Sequence, residues 1–448
     1  MGRDRRGVSA VAFAISFAVL TPMALGVFDV YQSSQQQGKL QDALDAATLY
    51  AARSTATDTP GVAAVGSKAL GANMQLIPGA KLTSSSFALV SSQGDTKVVA
   101  QATVTLAAYA PMEFTHNPVT VSSEVTRPGN NLEVALVLDN SNSMAGASLT
   151  ALKSAANQLV DLVVSDAQTP YYSKVSIVPY ANAVNAGTYA AAARGIVQSG
   201  TNGTTGINGT PPNASFKFRS QTGLTKTLTI SNCVSERIGA QAYTDASPAG
   251  AAVGLDYAQP SNNGCIVAPM AALSSDKTAI KASIASLQAC CSTGGQIGIA
   301  WGWYTLSPNW SSLFTGNAAP AAYGAAHTIK ALVLMTDGEY NSIYCNGVIA
   351  QNSTSGSGDT NYHINCNGQN GKDPYAQAQA LCQSMKNLPN PIIIYTVGLN
   401  VLGTPAAADL VNKCATDAAH VYLPADGASM QVAFQSIASD LNKLRISH

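Results

Sequence analysis

The stretch from Leu132 to Ser143, which reads LEVALVLDNSNS, constrains the fold of this chain more than any other. Residues 134–138 are all apolar, so both faces of a strand formed by them would be apolar. Strands of this kind are typical of a parallel sheet that is covered by helices. Asp139, Ser141 and Ser143 follow the strand directly, at the edge where open α/β sheets bind ligands.

A cation is the ligand that these three residues predict, because all their side-chain donor atoms are oxygen. Hard cations such as Mg²⁺ or Mn²⁺ prefer oxygen ligands. The same residue types also cap the N-termini of helices. Taken alone, the short motif therefore leaves both interpretations open.

The rest of the pattern predicts an α/β fold with a doubly wound parallel sheet. Apolar runs that are typical of buried strands alternate with segments of helical periodicity, as βαβ units do. The predicted strands after the first cover residues 174–180, 329–335 and 391–397. A second carboxylate, Asp337, follows the strand over residues 329–335, so it is expected at the same edge of the sheet as Asp139.

The N-terminal segment predicts a membrane helix. Residues 8–27 carry no charge, and a helix of this length rises about 30 Å, the thickness of the hydrocarbon core of a bilayer. Arg3, Arg5 and Arg6 precede the apolar run, which predicts a cytoplasmic N-terminus and an exported remainder. We expect a single-pass anchor over about residues 8–31; a cleaved signal peptide is the alternative.

Composition favours an exported protein and excludes some functions. Lys and Arg number 24, as do Asp and Glu, so no global basic field suggests nucleic-acid binding. Only 11% of the residues are charged, which leaves a surface rich in uncharged polar residues. The even number of cysteines, 8, points to disulfides in an oxidising compartment.

These signals divide the chain into four parts. Residues 1–53 form the basic head, the transmembrane helix and an Ala-rich amphipathic helix. Residues 54–130 are rich in Thr, Ser and Val and predict a small β-rich spacer. An α/β domain is expected over 131–182 and 272–446. Residues 183–271, rich in Gly, Asn, Thr and Pro, are too many for a simple loop and predict an insertion with structure of its own.

The N-terminal part resembles the TadE/TadG-like proteins of Flp (Tad) pilus assembly. The resemblance rests on the basic head, Gly7 before the apolar span, Asp29 and Tyr31 after it, and the run LQDALDAA at residues 40–47. Members that are processed as pseudopilins carry a Glu where this chain has Ala12. The resemblance therefore implies a TadG-like protein with a pilin-like helix that stays anchored in the bacterial envelope.

The α/β part resembles the von Willebrand factor type A (VWFA) domain. The resemblance rests on Asp139-x-Ser141-x-Ser143, a Thr after a Gly/Ser-rich turn, and a later strand that ends in Thr-Asp-Gly. In that family these elements form a metal-ion-dependent adhesion site (MIDAS). The resemblance implies a Rossmann-like sheet and the metal site Asp139, Ser141, Ser143, Thr293 and Asp337. Thr293 is identified by its distance from Gly298, and Ser292 is its local rival.

The cysteines allow several pairings. We expect Cys382–Cys414 to join neighbouring elements, Cys233–Cys265 to close the insertion, and Cys345–Cys366 to close the loop after Asp337. Cys290 and Cys291 are then left as a pair of neighbours, which could instead exchange partners. A zinc site at Cys345, His363 and Cys366 is the alternative for that loop.

The sequence predicts a protein that is not an enzyme, because no G-x-S-x-G, H-E-x-x-H or phosphate-binding loop is present. We expect it to bind a protein partner, through an acidic side chain on Mg²⁺, in Tad-type pilus assembly or surface adhesion. The alternative is a structural component of the envelope in which the metal only stabilises the fold. In both cases no nucleic acid is involved, and most of the chain is periplasmic or otherwise extracytoplasmic.

Overall fold

The structure is a computed structural model that describes most of the chain between residues 6 and 446. The exceptions are residues 55, 57, 78, 93–94, 107–117, 128, 167, 170, 195–214, 238, 258–263, 346–347 and 350–371. The chain divides into two compact units, one that ends at Gly129 and one over Asn130–Arg445.

The first unit combines two helices with an antiparallel sheet in the order β1-β2-β3. Its elements are α1 (Arg6–Ala52), α2 (Thr59–Met74), β1 (Ala80–Ser92), β2 (Asp95–Leu106) and β3 (Val119–Arg127). The amphipathic stripe predicted for the second half of α1 is buried against the sheet. Its members are Leu40, Ala43, Leu44, Ala47 and Ala51.

Helix α2 was not predicted within the β-rich spacer. Asp58 caps the helix by accepting a hydrogen bond of 2.9 Å from the Gly61 backbone N–H, and Pro60 lies in its first turn. An Asp cap followed by Pro is a helix start signal, and the alanines of this segment favour a helix despite its glycines. The spacer is therefore a helix on a three-stranded sheet.

The expected membrane helix is not supported. In the part of the chain that the structure describes, no helix combines the length and the apolar character needed to cross a membrane.

The second unit is built on an α/β sheet with an insertion. Its elements in chain order are β4 (Asn131–Asp139), α3 (Ala147–Val163), β5 (Ser173–Tyr180), β6 (Val184–Asn185), α4 (Ala190–Ala193), β7 (Ser215–Arg219), β8 (Thr225–Ser235), β9 (Gly254–Tyr257), β10 (Ala271–Ser274), α5 (Lys277–Ala285), α6 (Gly295–Leu306), β11 (Thr328–Thr336), β12 (Tyr344–Cys345), β13 (Val348–Ile349), α7 (Pro374–Lys386), β14 (Ile393–Gly398), α8 (Pro405–Cys414), β15 (Val421–Tyr422) and α9 (Gly427–Ile446).

The central sheet has six strands in the order β10-β5-β4-β11-β14-β15. All neighbours are parallel except β10, which runs antiparallel to β5. This is the strand order of doubly wound α/β sheets, so the α/β class and the mostly parallel sheet are confirmed. The antiparallel edge was not predicted. It is possible because the insertion, not a crossover helix, connects β5 to β10.

Helices cover both faces of this sheet, as its apolar strands require. One core includes side chains of α3, α5 and α9, and the other includes side chains of α6, α7 and α8. The apolar face of α3 is buried throughout, at Leu149, Leu152, Ala156, Leu159, Val160 and Val163. Neighbouring residues of β4 alternate between the two cores, so this strand is buried on both faces.

Helix α6 is buried along its whole length, and insertion residues such as Val234 and Val253 belong to the same core. The Arg237 guanidinium lies 4.9 Å from the Tyr304 ring centroid and 5.5 Å from that of Trp310. Asp245 accepts hydrogen bonds of 2.5 Å from Ser307 and 2.6 Å from Tyr323. The insertion is thus part of the same hydrophobic core as the sheet.

Candidate functional site

The loop after β4 folds onto the carboxylate of Asp139. This side chain is fully buried, and its Oδ1 accepts hydrogen bonds from the Ser141 backbone N–H at 2.9 Å and from the Ser141 hydroxyl at 2.6 Å. The hydroxyls of Ser141 and Ser143 are 2.9 Å apart. The first motif therefore presents one carboxylate and two hydroxyls in a single cluster.

The strands on either side of β4 hold the other oxygen of Asp139. The Tyr180 hydroxyl, at the end of β5, lies 3.1 Å from Asp139 Oδ2 and 2.9 Å from the Met335 carbonyl oxygen. The Thr336 hydroxyl, at the end of β11, donates to Oδ2 at 3.1 Å. Sequence analysis did not single out Tyr180 or Thr336. The available signal was that each is a polar residue at the end of a predicted strand.

Asp337 follows β11 and lies close enough to Asp139 to affect it. The next residue, Gly338, has a φ of 141°, a conformation that favours glycine. Burial raises the pKa of Asp337, and a hydrogen bond from Ser143 partly opposes this increase. The structure thus brings the third segment of the motif to the hydroxyls of the first.

The two carboxylates make the site electrostatically unfavourable without a cation. Burial and the nearby charge of Asp337 raise the pKa of Asp139 to about 7, and hydrogen bonds from Ser141 and Thr336 act in the opposite direction. Among the described residues, no Lys, Arg or His lines the pocket beside these carboxylates, and no ion pair includes either of them. A bound cation would remove this repulsion.

Thr293 is held at the site by its backbone. Its N–H donates to Asn341 Oδ1 at 2.8 Å, and its carbonyl oxygen accepts from the N–H groups of Asn341 and Ser342, both at 2.9 Å. These contacts tie Thr293 to the loop that follows Asp337. Ser292 is equally buried, at 4% exposure for each residue, so burial does not distinguish the two hydroxyls.

Gly298, the residue that identified Thr293, has a structural role of its own. A Cβ atom at this position would lie 2.5 Å from Cδ1 of Tyr180, far inside contact distance. Glycine therefore allows α6 to approach the tyrosine whose hydroxyl contacts Asp139. Gly294 is similar, because a Cβ there would lie 2.6 Å from the carbonyl oxygen of Asn182.

The motif residues meet at one polar pocket with a volume of about 510 Å³. Asp139 lies beneath the lining, where it orients Ser141. The lining residues are Ser141, Asn142, Ser143, Ala289, Cys290, Cys291, Ser292, Thr293, Asp337, Glu339, Asn341 and Thr404. The residues expected from three separate segments of the sequence are thus assembled in one place.

The donor set fits a hard divalent cation. The predicted ligands offer hydroxyls and the carboxylates of Asp139 and Asp337, and Glu339 adds a third carboxylate to the lining. The donor atoms of all these side chains are oxygen, which hard cations prefer. Within the described residues, no group of three or more His, Cys, Asp or Glu side chains could hold a metal ion. A cation at this pocket would therefore depend on the hydroxyls of Ser141, Ser143 and Thr293 as well as on the carboxylates.

Two of the expected disulfides, Cys233–Cys265 and Cys382–Cys414, are present. Cys290 and Cys291, whose pairing was left open, are bonded to each other. The described cysteines include no free thiol. The expected Cys345–Cys366 pair, and the alternative zinc site with His363, involve residues outside those that the structure describes.

Residues 7–54 match the model of the Tad family, described as "Putative Flp pilus-assembly TadE/G-like". The resemblance of the N-terminal segment to this family is thus confirmed. No curated protein matches the chain.

Several solved structures are similar to this chain at low identity. The vWF domain of the type V pili tip protein Mfa5 from Porphyromonas gingivalis is 13% identical, covers 71% of this chain and 97% of its own length, and has a TM-score of 0.37. The pilus adhesin SpaC from Lactobacillus rhamnosus GG is 12% identical, with coverages of 82% and 35% and a TM-score of 0.34. Proximal thread matrix protein 1 from the mussel byssus, with a zinc-occupied MIDAS motif, is 12% identical, with coverages of 70% and 46% and a TM-score of 0.30. Such weak likenesses carry no inference about ligands or partners.

Proposed function

We propose that this protein binds a protein partner through a divalent cation, Mg²⁺ or Mn²⁺, in pilus assembly or surface adhesion at a bacterial envelope. The observation that carries the proposal is the meeting of Asp139, Ser141, Ser143, Thr293 and Asp337 at one pocket. The partner would contribute an acidic side chain to the cation.

The donor set gives a physical reason for docking. The hydroxyls of Ser141, Ser143 and Thr293 are neutral, so they would hold a cation without cancelling its charge. Asp139 would orient Ser141 through the hydrogen bonds that it accepts. When bound, the cation would supply an electrophilic centre that can accept a carboxylate from another protein. Nothing in this arrangement requires catalysis, so we propose a role without enzymatic activity.

The N-terminal segment supports a place in pilus assembly, because residues 7–54 match the TadE/G-like model. In the first half of α1, large apolar side chains are exposed, which suits a helix that is covered by other envelope components. They are Phe13, Ile15, Phe17, Leu20, Met23 and Val27, with exposed fractions between 60% and 72%. Three disulfides support an oxidising location outside the cytoplasm.

The decisive experiment is a pull-down from envelope extract with the full chain in Mg²⁺ or in EDTA, followed by identification and purification of the retained partner. We expect the purified partner to bind the wild-type protein in Mg²⁺ and to be released by EDTA. It should not bind the Asp139→Asn variant. Circular dichroism of the variant should match that of the wild type. Binding that is indifferent to both EDTA and the substitution would contradict the proposal.

A structural role is the second candidate, favoured by the raised pKa of Asp139, because a cation would relieve that repulsion even without a partner. In that case Mn²⁺ would raise the unfolding temperature, whereas EDTA would leave partner binding unchanged.

A further inference from the structure

The Cys290–Cys291 disulfide joins adjacent residues in the wall of the candidate pocket. A disulfide stabilises a fold mainly by closing a long loop in the unfolded chain. A bond between neighbours closes almost no loop, in contrast to Cys233–Cys265 and Cys382–Cys414, each with a sequence separation of 32. The contribution of Cys290–Cys291 is therefore expected to be local.

Its local contacts lead directly to the loop after β4. The Cys290 N–H donates to the Asn140 carbonyl oxygen at 2.9 Å, and the Asn142 N–H donates to the Cys291 carbonyl oxygen at 3.0 Å. The Asn140 side-chain amide also donates to the Gln288 carbonyl oxygen at 3.2 Å. The segment that holds the disulfide is thus paired with the backbone that carries Ser141 and Ser143.

The backbone at Cys291 is in an unusual conformation. Its φ is 70°, in the left-handed region that residues other than glycine rarely adopt. The disulfide with Cys290 closes a small covalent ring, which restricts the backbone conformations that Cys291 can adopt. Without the ring, Cys291 would be free to return to a more favourable conformation, and its carbonyl oxygen would turn away from Asn142.

The segment that holds the disulfide continues to Thr293, whose backbone N–H donates a hydrogen bond to Asn341. The disulfide therefore lies between the two groups of hydroxyls: the Asn140–Asn142 backbone pairs with it, and Thr293 follows it along the chain. Behind it, Cys290 and Cys291 pack against a buried cluster that includes Cys233 and Ile266 of the insertion.

We propose that the Cys290–Cys291 disulfide is a positioning element of the cation pocket, which holds the loop of Ser141 and Ser143 in register with Thr293. This proposal rests on the proposed cation site for its effect on binding, but not for its effect on the loop. The bond itself need not touch a cation or a partner.

The test compares the full-length C290S/C291S variant with a C382S/C414S control, whose disulfide lies away from the pocket. Two measurements are made: amide hydrogen exchange over residues 139–144 in metal-free protein, and Mn²⁺ affinity by titration calorimetry. We expect C290S/C291S to lose protection at Asn142 and to bind Mn²⁺ about 10-fold more weakly, the scale of losses when an outer positioning contact is removed. Its unfolding temperature should stay near that of the wild type.

The control should give the opposite result: a clearly lower unfolding temperature, with Mn²⁺ affinity and exchange at Asn142 close to those of the wild type. Normal protection at Asn142 in C290S/C291S would overturn the proposal, whatever the metal result. If the wild type itself binds no Mn²⁺, the proposed cation site fails, and the exchange measurement still decides whether the disulfide positions the loop.

Discussion

The Thr336 hydroxyl donates a hydrogen bond to Asp139 Oδ2 across 3.1 Å, and so joins the ends of neighbouring strands β11 and β4. Asp337, the residue after Thr336, raises the pKa of the same carboxyl through its charge. One strand end therefore both holds Asp139 in place and makes its ionised form less favourable.

Asp139→Asn should separate cation binding from stability. At pH 8, above its pKa of about 7, the buried Asp139 is ionised, and Asn keeps its shape without the charge. The hydroxyls of Tyr180 and Thr336 can rotate to accept from the new amide. We expect the unfolding temperature of the metal-free variant to equal or exceed that of the wild type. Saturating Mn²⁺ should no longer stabilise it, whereas the wild type gains about 2.7 kcal/mol at 100 times its Kd.

The control for this prediction is Asp409→Asn, which removes an exposed carboxylate paired with Lys413 on the surface. It should keep the full Mn²⁺ response in calorimetric unfolding scans. A wild-type Mn²⁺ response in Asp139→Asn would rule out the carboxylate as part of the cation site.

Thr293→Val and Ser292→Ala should identify which hydroxyl serves the cation. Valine has nearly the shape of threonine but no hydroxyl, so we expect at least about a 10-fold loss of Mn²⁺ affinity in titration calorimetry. Ser292→Ala should stay within about twofold of the wild type. The reverse pattern would transfer the role to Ser292.

Gly298→Ala should displace Tyr180, whose hydroxyl contacts Asp139, and so lower the stability of the fold. The added Cβ would lie 2.5 Å from the Tyr180 ring, so either α6 or Tyr180 must move. Overpacking of this kind costs about 1–3 kcal/mol of unfolding free energy. Urea unfolding measures the loss. The matched control is Gly403→Ala, where the Cβ would meet nothing within 4 Å, and an equal loss in both variants would refute the steric explanation.

Glu236→Gln should flatten the dependence of stability on pH. Burial raises the pKa of Glu236 to about 8, against hydrogen bonds from Gln296, Tyr344 and Gln377, whereas an exposed glutamate titrates near 4.5. Between these values the folded protein holds a proton that the unfolded chain has lost. The contribution of this group is therefore complete below pH 4.5 and declines as the pH rises to about 8.

In urea unfolding at pH 5 and pH 8, we expect the wild-type free energy to fall by about 2–4 kcal/mol more than that of Glu236→Gln. Glu124→Gln is the control, since an exposed ion pair with Lys97 contributes little. Equal slopes in the wild type and Glu236→Gln would show that Glu236 does not titrate in this range.

The sequence predicted the parts of the site that follow from local pattern. Asp139, Ser141 and Ser143 are close in the chain and directly follow an apolar run. That run predicts a buried strand, so these polar residues had to lie at its end. Asp337 could be placed with them because parallel strands share an edge. Tyr180 and Thr336 could not be assigned to Asp139, because their roles depend on which strands flank β4. The contact between Cys291 and Asn142 depends on a backbone conformation that residue types alone do not indicate.

The core that α6 shares with the insertion limits how this domain can be shortened. Trp301, Trp303 and Trp310 are shielded together by the sheet and by the inserted segment, and Arg237 is stacked on the last of them. Deleting residues 183–271 would remove Val234 and Val253 from this core and expose aromatic side chains of α6. We therefore expect that the insertion cannot be removed without loss of the core around α6.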